Sequence, residues 1–111
     1  MAVLYLNKLS ALLDRIAPKQ SREFVIECKP FFGGAAAYAN GKIFMSLTKA
    51  GLALKLPEAT RTTLMEEGGT PLKYFPKAPI KKQYVVVSNR LANDETALAE
   101  RVKESISYVQ E

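Results

Sequence analysis

Asn40-Gly41 restricts the fold of this chain more than any other pair of residues. A two-residue type I′ turn needs positive φ at both central positions, and Asn-Gly between two alternating apolar runs is its strongest short-range signal. It joins an extended arm ending near Tyr38 to a second arm over residues 42–48. Ile43, Met45 and Leu47 alternate along that second arm, which predicts that they share one face. A turn near Lys49 to Gly51 leads to a third strand, where Leu52, Leu54 and Leu56 share a face. Strands joined by tight turns make an antiparallel meander.

Upstream, Phe24, Ile26 and Cys28 alternate with Glu23, Val25 and Glu27, which is a strand pattern. The extended stretch from Phe31 to Tyr38 is broken by Gly33-Gly34. A Gly pair inside a strand implies a bulge or the close approach of another backbone.

Helices flank these strands. Leu6, Leu9, Leu13 and Ile16 form one stripe of an amphipathic helix, and Pro18 ends it. Pro57 and Glu58 suit the first turn of a second helix, which stops at Gly68-Gly69. Leu72 to Phe75 reads as a short fourth strand ahead of Pro76 and Pro79, and Gln83 to Ser88 as a fifth. Asn93 reads as the N-cap of a C-terminal helix with the stripe Leu98, Val102, Ile106 and Val109. The 111 residues form one domain, 1–111. The fold class is α+β in two layers, with helices on an antiparallel sheet of about five strands.

The chain has no His and one Cys, which removes the usual base near neutral pH and any internal disulfide. Asn7, Lys8, Asp14 and Arg15 interrupt the N-terminal apolar residues, so no signal-peptide core forms. No run approaches the roughly 20 apolar residues that span a bilayer. With a single free thiol, these features lead us to expect a cytoplasmic protein.

The catalytic templates fail one by one. Glu66 and Glu67 are adjacent on a helix and point apart. Cys28 falls on the apolar set and reads as a buried structural thiol, although Lys29 beside it could lower its pKa. Gly33-Gly34 lacks the Lys-Ser/Thr of a phosphate-binding loop. We expect no enzyme activity, no cofactor and no metal site. Chemistry by carboxylates and lysines alone stays open as an alternative.

The net charge of +5 is unevenly spread. Residues 28–57 hold four lysines and no acid, and residues 68–92 hold four lysines, Arg90 and no acid. The segments 58–67 and 93–111 are net acidic. Lys42, Lys49, Lys77, Lys81 and Lys82 are therefore the candidate partner-binding surface. Phe31, Phe32, Tyr38, Phe44, Tyr74, Phe75 and Tyr84 interleave with the lysines. Such a pattern serves a solvated, aggregation-resistant sheet edge, or it contacts nucleic acid through phosphates and stacked rings. No helix-turn-helix is visible and the later helices are acidic, so tight sequence-specific DNA binding is not expected. Uncovered sheet edges lead us to expect a homodimer, through the Phe44/Met45 hairpin or the C-terminal helix.

Lys29-Pro30-Phe31-Phe32-Gly33-Gly34, then Tyr38-Ala39-Asn40-Gly41-Lys42-Ile43-Phe44, resembles the signature of the TfoX/Sxy N-terminal domain family. That family typically reads Arg-x-Met-Phe-Gly-Gly, a few residues to Tyr, then Asp-Gly-Lys-x-Phe. Leu52-Ala53-Leu54-Lys55 resembles the strand that follows in the family, and the elements around Gly68-Gly69 and Tyr84-Val85-Val86 come in order. Phe31 stands where Met is usual, Lys29 and Pro30 where Arg is common, and Ala35-Ala36-Ala37 in place of a Tyr-Gly-rich stretch. The resemblance makes Phe32, Gly33, Gly34, Asn40 and Gly41 a structural motif. It implies a two-layer α+β fold, a bacterial cytoplasmic setting, and service to a transcription regulator as in competence regulation. The expected function is a non-enzymatic regulatory module that binds another protein. The alternative is a nucleic-acid-binding accessory protein using the basic strands.

Overall fold

The computed structural model describes residues 2–17 and 20–111. Helix α1 (Ala2–Ile16) and the single turn α2 (Gln20–Glu23) come first. Strands β1 (Ile26–Phe31), β2 (Gly34–Ala39), β3 (Lys42–Thr48) and β4 (Gly51–Lys55) follow. Then come α3 (Glu58–Glu66), β5 (Thr70–Leu72), β6 (Lys81–Val86), α4 (Asn89–Ala92) and α5 (Glu95–Gln110). The six strands form one antiparallel sheet in the order β1-β2-β3-β4-β6-β5. The expected role of Pro18 lies outside the described residues.

Asn40 and Gly41 take φ of 52° and 81°, as a type I′ turn requires. The Asn40 side chain accepts a 2.8 Å hydrogen bond from the Val25 amide, while the Asn40 amide donates to the Val25 carbonyl at 2.9 Å. Phe31 to Tyr38 is two strands rather than one interrupted strand. Phe32 and Gly33 form a second tight turn, with φ of 46° and 77°, and Phe31 pairs with Gly34. That turn raises the strand count to six. Gly34 shows the close approach: a Cβ there would collide with the Leu47 carbonyl oxygen and lie 2.9 Å from Thr48 Cα.

The bulge falls in β3 instead. Ala37 pairs with Met45 and Tyr38 with Ile43, so Phe44 has no partner on β2. Faces alternate along a strand, so the extra residue puts Ile43 opposite Met45 and Leu47 rather than beside them. It also sends both Phe44 and Met45 into the core, fully buried, so these two side chains are not open to a second copy.

Leu9, Leu13 and Ile16 of α1 and Leu98, Val102 and Ile106 of α5 pack on Ala35, Ala37, Ala39, Met45, Leu54 and Val85. Helix α1 crosses β2, where three alanines leave room for a helix to lie close. Truncating a fully buried leucine such as Leu9 in this layer costs about 2–5 kcal/mol.

Smaller differences have local causes. Asp94, not Asn93, caps α5, accepting from the Ala97 amide at 3.1 Å. Asn93 instead closes the short α4, donating to the Asn89 carbonyl, and Ser88 caps the start of α4. The fourth strand starts and ends earlier than expected, at Thr70–Leu72, and Lys73 to Ile80 is loop. Pro71 is tolerated there because β5 is an edge strand. Pro30 is tolerated on the opposite edge for the same reason. Val25 bonds to the β2 side, so by alternation residue 30 points its missing donor outward.

A flat sheet of this strand order would hold β1 and β5 about 24 Å apart. Tyr74 lies two residues beyond β5, roughly 7 Å of chain. Its ring nevertheless meets Phe31 and Phe32, beside β1. The sheet therefore curls, and its edges approach each other across the face that α1 and α5 leave uncovered. On that face Ala36, Ser46 and Ala53 are fully buried.

Candidate lysine and aromatic surface

Three tyrosines on the curled face each carry a lysine ammonium. Lys29 Nζ is 5.3 Å from the Tyr38 ring centroid, Lys55 Nζ 5.9 Å from Tyr84 and Lys81 Nζ 5.9 Å from Tyr74. Register explains the first: Lys29 pairs with Ala36, which makes Tyr38 its diagonal neighbour on the same face. Lys55 and Tyr84 are directly paired across β4 and β6. Each contact is worth about 0.5–1 kcal/mol where water reaches it.

Phe32 stacks on Tyr74 with centroids 4.9 Å apart and planes 21° from parallel. Phe31 meets both rings edge-on, at 4.6 and 5.5 Å. Phe32 is 67% exposed and Phe75 58% exposed. Lys49, Ala50, Lys73, Tyr74, Phe75 and Pro76 line a shallow groove of about 420 Å³ beside this stack.

Burial raises the pKa of both Tyr74 and Tyr84. For Tyr84, burial together with the neighbouring Tyr74 and Tyr38 pushes it up to about 12. For Tyr74, burial dominates, the Ser46 hydroxyl pulls the other way and Tyr38 adds to the rise. The Ser46 contact is loose: Ser46 Oγ is buried and makes no hydrogen bond of ordinary geometry.

The five candidate lysines do not form one patch. Lys42 opens β3 and Lys49 follows its end, roughly 23 Å away along the strand. Lys49 lines the groove beside Tyr74. Antiparallel register brings the start of β3, the end of β4 and the start of β6 to one end of the sheet. Lys42, Lys81 and Lys82 therefore share that end, with exposed Ile80 next to Lys81. Lys77 is exposed in the loop between β5 and β6. Sequence reasoning left out Lys29, Lys55 and Lys73, which the structure places against the aromatic rings or in the groove. Their signal was positional, because only the register shows which lysine meets which ring. Phe44 drops out of the aromatic set because the bulge buries it.

Cys28 is half-buried in a separate groove of about 370 Å³ between α1 and β1, with Leu6, Asn7, Ser10, Asp14 and Ile26. Burial, and then the Asp14 carboxylate, raise its thiol pKa. The activation that Lys29 would have supplied is absent, because Lys29 points to the opposite face, over Tyr38. Among the described residues no three His, Cys, Asp or Glu side chains cluster to hold a metal ion. Nor is any helix among them long and apolar enough to cross a membrane.

No curated protein matches the chain significantly. The profile of the TfoX N-terminal domain matches residues 22–108. That span runs from within α2, through both tight turns and all six strands, almost to the end of α5, and the chain belongs to the TfoX N-terminal domain family.

Proposed function

We propose that this chain is a non-enzymatic regulatory module of the bacterial cytoplasm that works by docking on an acidic protein partner in transcription control. The observation that carries this reading is the end of the sheet that Lys42, Lys81 and Lys82 share with exposed Ile80. Apolar area there supplies affinity, and the unopposed lysines steer the encounter. Membership of the TfoX N-terminal domain family, with the service to a transcription regulator that the resemblance implies, supports the regulatory setting. A second copy of the chain is a further partner under this reading, tested by light scattering at high micromolar concentration.

The experiment is affinity capture from the native host at physiological salt, with and without nuclease, followed by association kinetics with the captured protein. The double charge reversal Lys81→Glu/Lys82→Glu slows association with little change in stability. An unchanged association rate, or capture that nuclease abolishes, overturns the reading.

A further inference from the structure

Phe32 occupies a costly position. It is a bulky aromatic residue at φ of 46°, in the turn slot that Asn40 fills in the next hairpin, and two-thirds of it faces solvent. Left-handed backbone disfavours such a side chain, and exposure of the ring forgoes burial. Asn would serve the turn better. An unfavourable conformation held at an exposed position points to use of the side chain.

We propose that the Phe32–Tyr74 stack and the lysines around it form a binding platform for single-stranded nucleic acid. One ring face of Phe32 is taken by Tyr74, and the exposed remainder continues the stack with a base. Base-on-aromatic stacking tolerates any sequence, because every base has a π face. Lys49 and Lys73 line the groove beside the stack, Lys81 sits over Tyr74 and Lys29 over Tyr38. Each is placed to meet a phosphate as the strand crosses the curled face. Glu27 is the carboxylate that the strands contribute to this face, through its pairing with Tyr38 at the β1 edge. The acidic residues concentrate in 58–67 and 93–111, mainly on α3 and α5, so the molecule is polarised and orients a polyanion toward the rings.

Two features select a single strand of nucleic acid over other polyanions. The cations named on the platform are all lysines, which meet phosphates as compact point charges. A duplex keeps its base faces stacked and could use the lysines but not the rings. Lys81 belongs both to this platform and to the Lys42–Lys81–Lys82 end of the sheet, whereas Phe32, Tyr74, Lys29, Lys49 and Lys73 belong to the platform alone.

The test is fluorescence anisotropy with labelled oligo-dT and oligo-rU, a duplex of equal length, and poly-glutamate as competitor. The wild-type chain binds the single strands in preference to the duplex, with affinity that falls as salt rises. Phe32→Asn weakens that binding roughly tenfold or more while its melting temperature stays the same or rises. Phe32→Gly, which also suits the turn, gives the same separation if the Asn variant folds poorly. A preference between the two oligomers tells RNA from DNA. Equal binding by wild type and Phe32→Asn, a duplex bound as tightly as the single strand, or displacement by poly-glutamate at equal charge overturns the proposal. The docking reading is scored apart, because Phe32→Asn leaves partner association at the lysine end of the sheet unchanged.

Discussion

The hydroxyl of Ser105 on α5 lies 2.8 Å from the carbonyl oxygen of Phe44, the residue that the bulge adds to β3. It also lies 2.7 Å from the carbonyl oxygen of Lys55, so its one proton is shared between two acceptors. Pairing of β3 with β4 stops at Met45 and Leu54, and the next residues along are Phe44 and Lys55. Ser105 satisfies at that point what the ladder no longer does. Ser105 is fully buried, and no water would replace it easily. We predict that Ser105→Ala destabilises the fold by about 1–3 kcal/mol in chemical denaturation, the cost of buried acceptors left without a donor. A loss within error of zero would mean that the carbonyls find another partner.

Gly34→Val strikes a second point where the backbone leaves no room. The added Cβ would meet the Leu47 carbonyl and Thr48 Cα, both main-chain groups of the paired strand β3. A flexible side chain could move aside, whereas a ladder cannot without breaking its hydrogen bonds. The expected loss is about 1–3 kcal/mol, the range for forced overpacking. Gly33 has open space where its Cβ would be, so Gly33→Ala is limited to the strain of its left-handed backbone. Thermal unfolding of both variants gives the ranking, and a Gly34→Val protein as stable as wild type would contradict it.

Tyr84 gives the fold an alkaline limit. Its pKa rises from about 10 in an unfolded chain to about 12 in the folded one. The folded state therefore prefers the neutral phenol. That contribution to stability is fully present below pH 10 and is lost as pH rises through 12. Denaturation midpoints measured across this window fall with pH, and Tyr84→Phe makes the fall shallower. An identical pH profile for the Phe variant would assign the alkaline loss to other groups.

Several features could be read directly from the residues because their causes are local. Asn40-Gly41 predicts its turn since few other pairs tolerate two consecutive positive φ values. The stripes Leu9, Leu13, Ile16 and Leu98, Val102, Ile106 give both long helices and their buried faces, since a helix needs one apolar side. Gly34 was legible as one of two alternatives, a bulge or a close approach, and neighbouring backbone decides for the approach.

What only the tertiary structure decided depends on contacts far apart in the chain. Phe32-Gly33 carries no Asn or Asp to announce a turn, so the split of one expected strand into β1 and β2 appears only when the strands pair. The bulge at Phe44 reverses the face of Ile43, because one inserted residue shifts a period of two. The lysine and aromatic surface is the clearest case. Composition showed that 28–57 and 68–92 are basic and aromatic, and it named residues from both. It did not show that Tyr74, just past one edge of the sheet, would stack on Phe32 beside the other edge. Curling of the sheet brings them together, and curvature arises from pairing, twist and bulges across six strands rather than from any one segment.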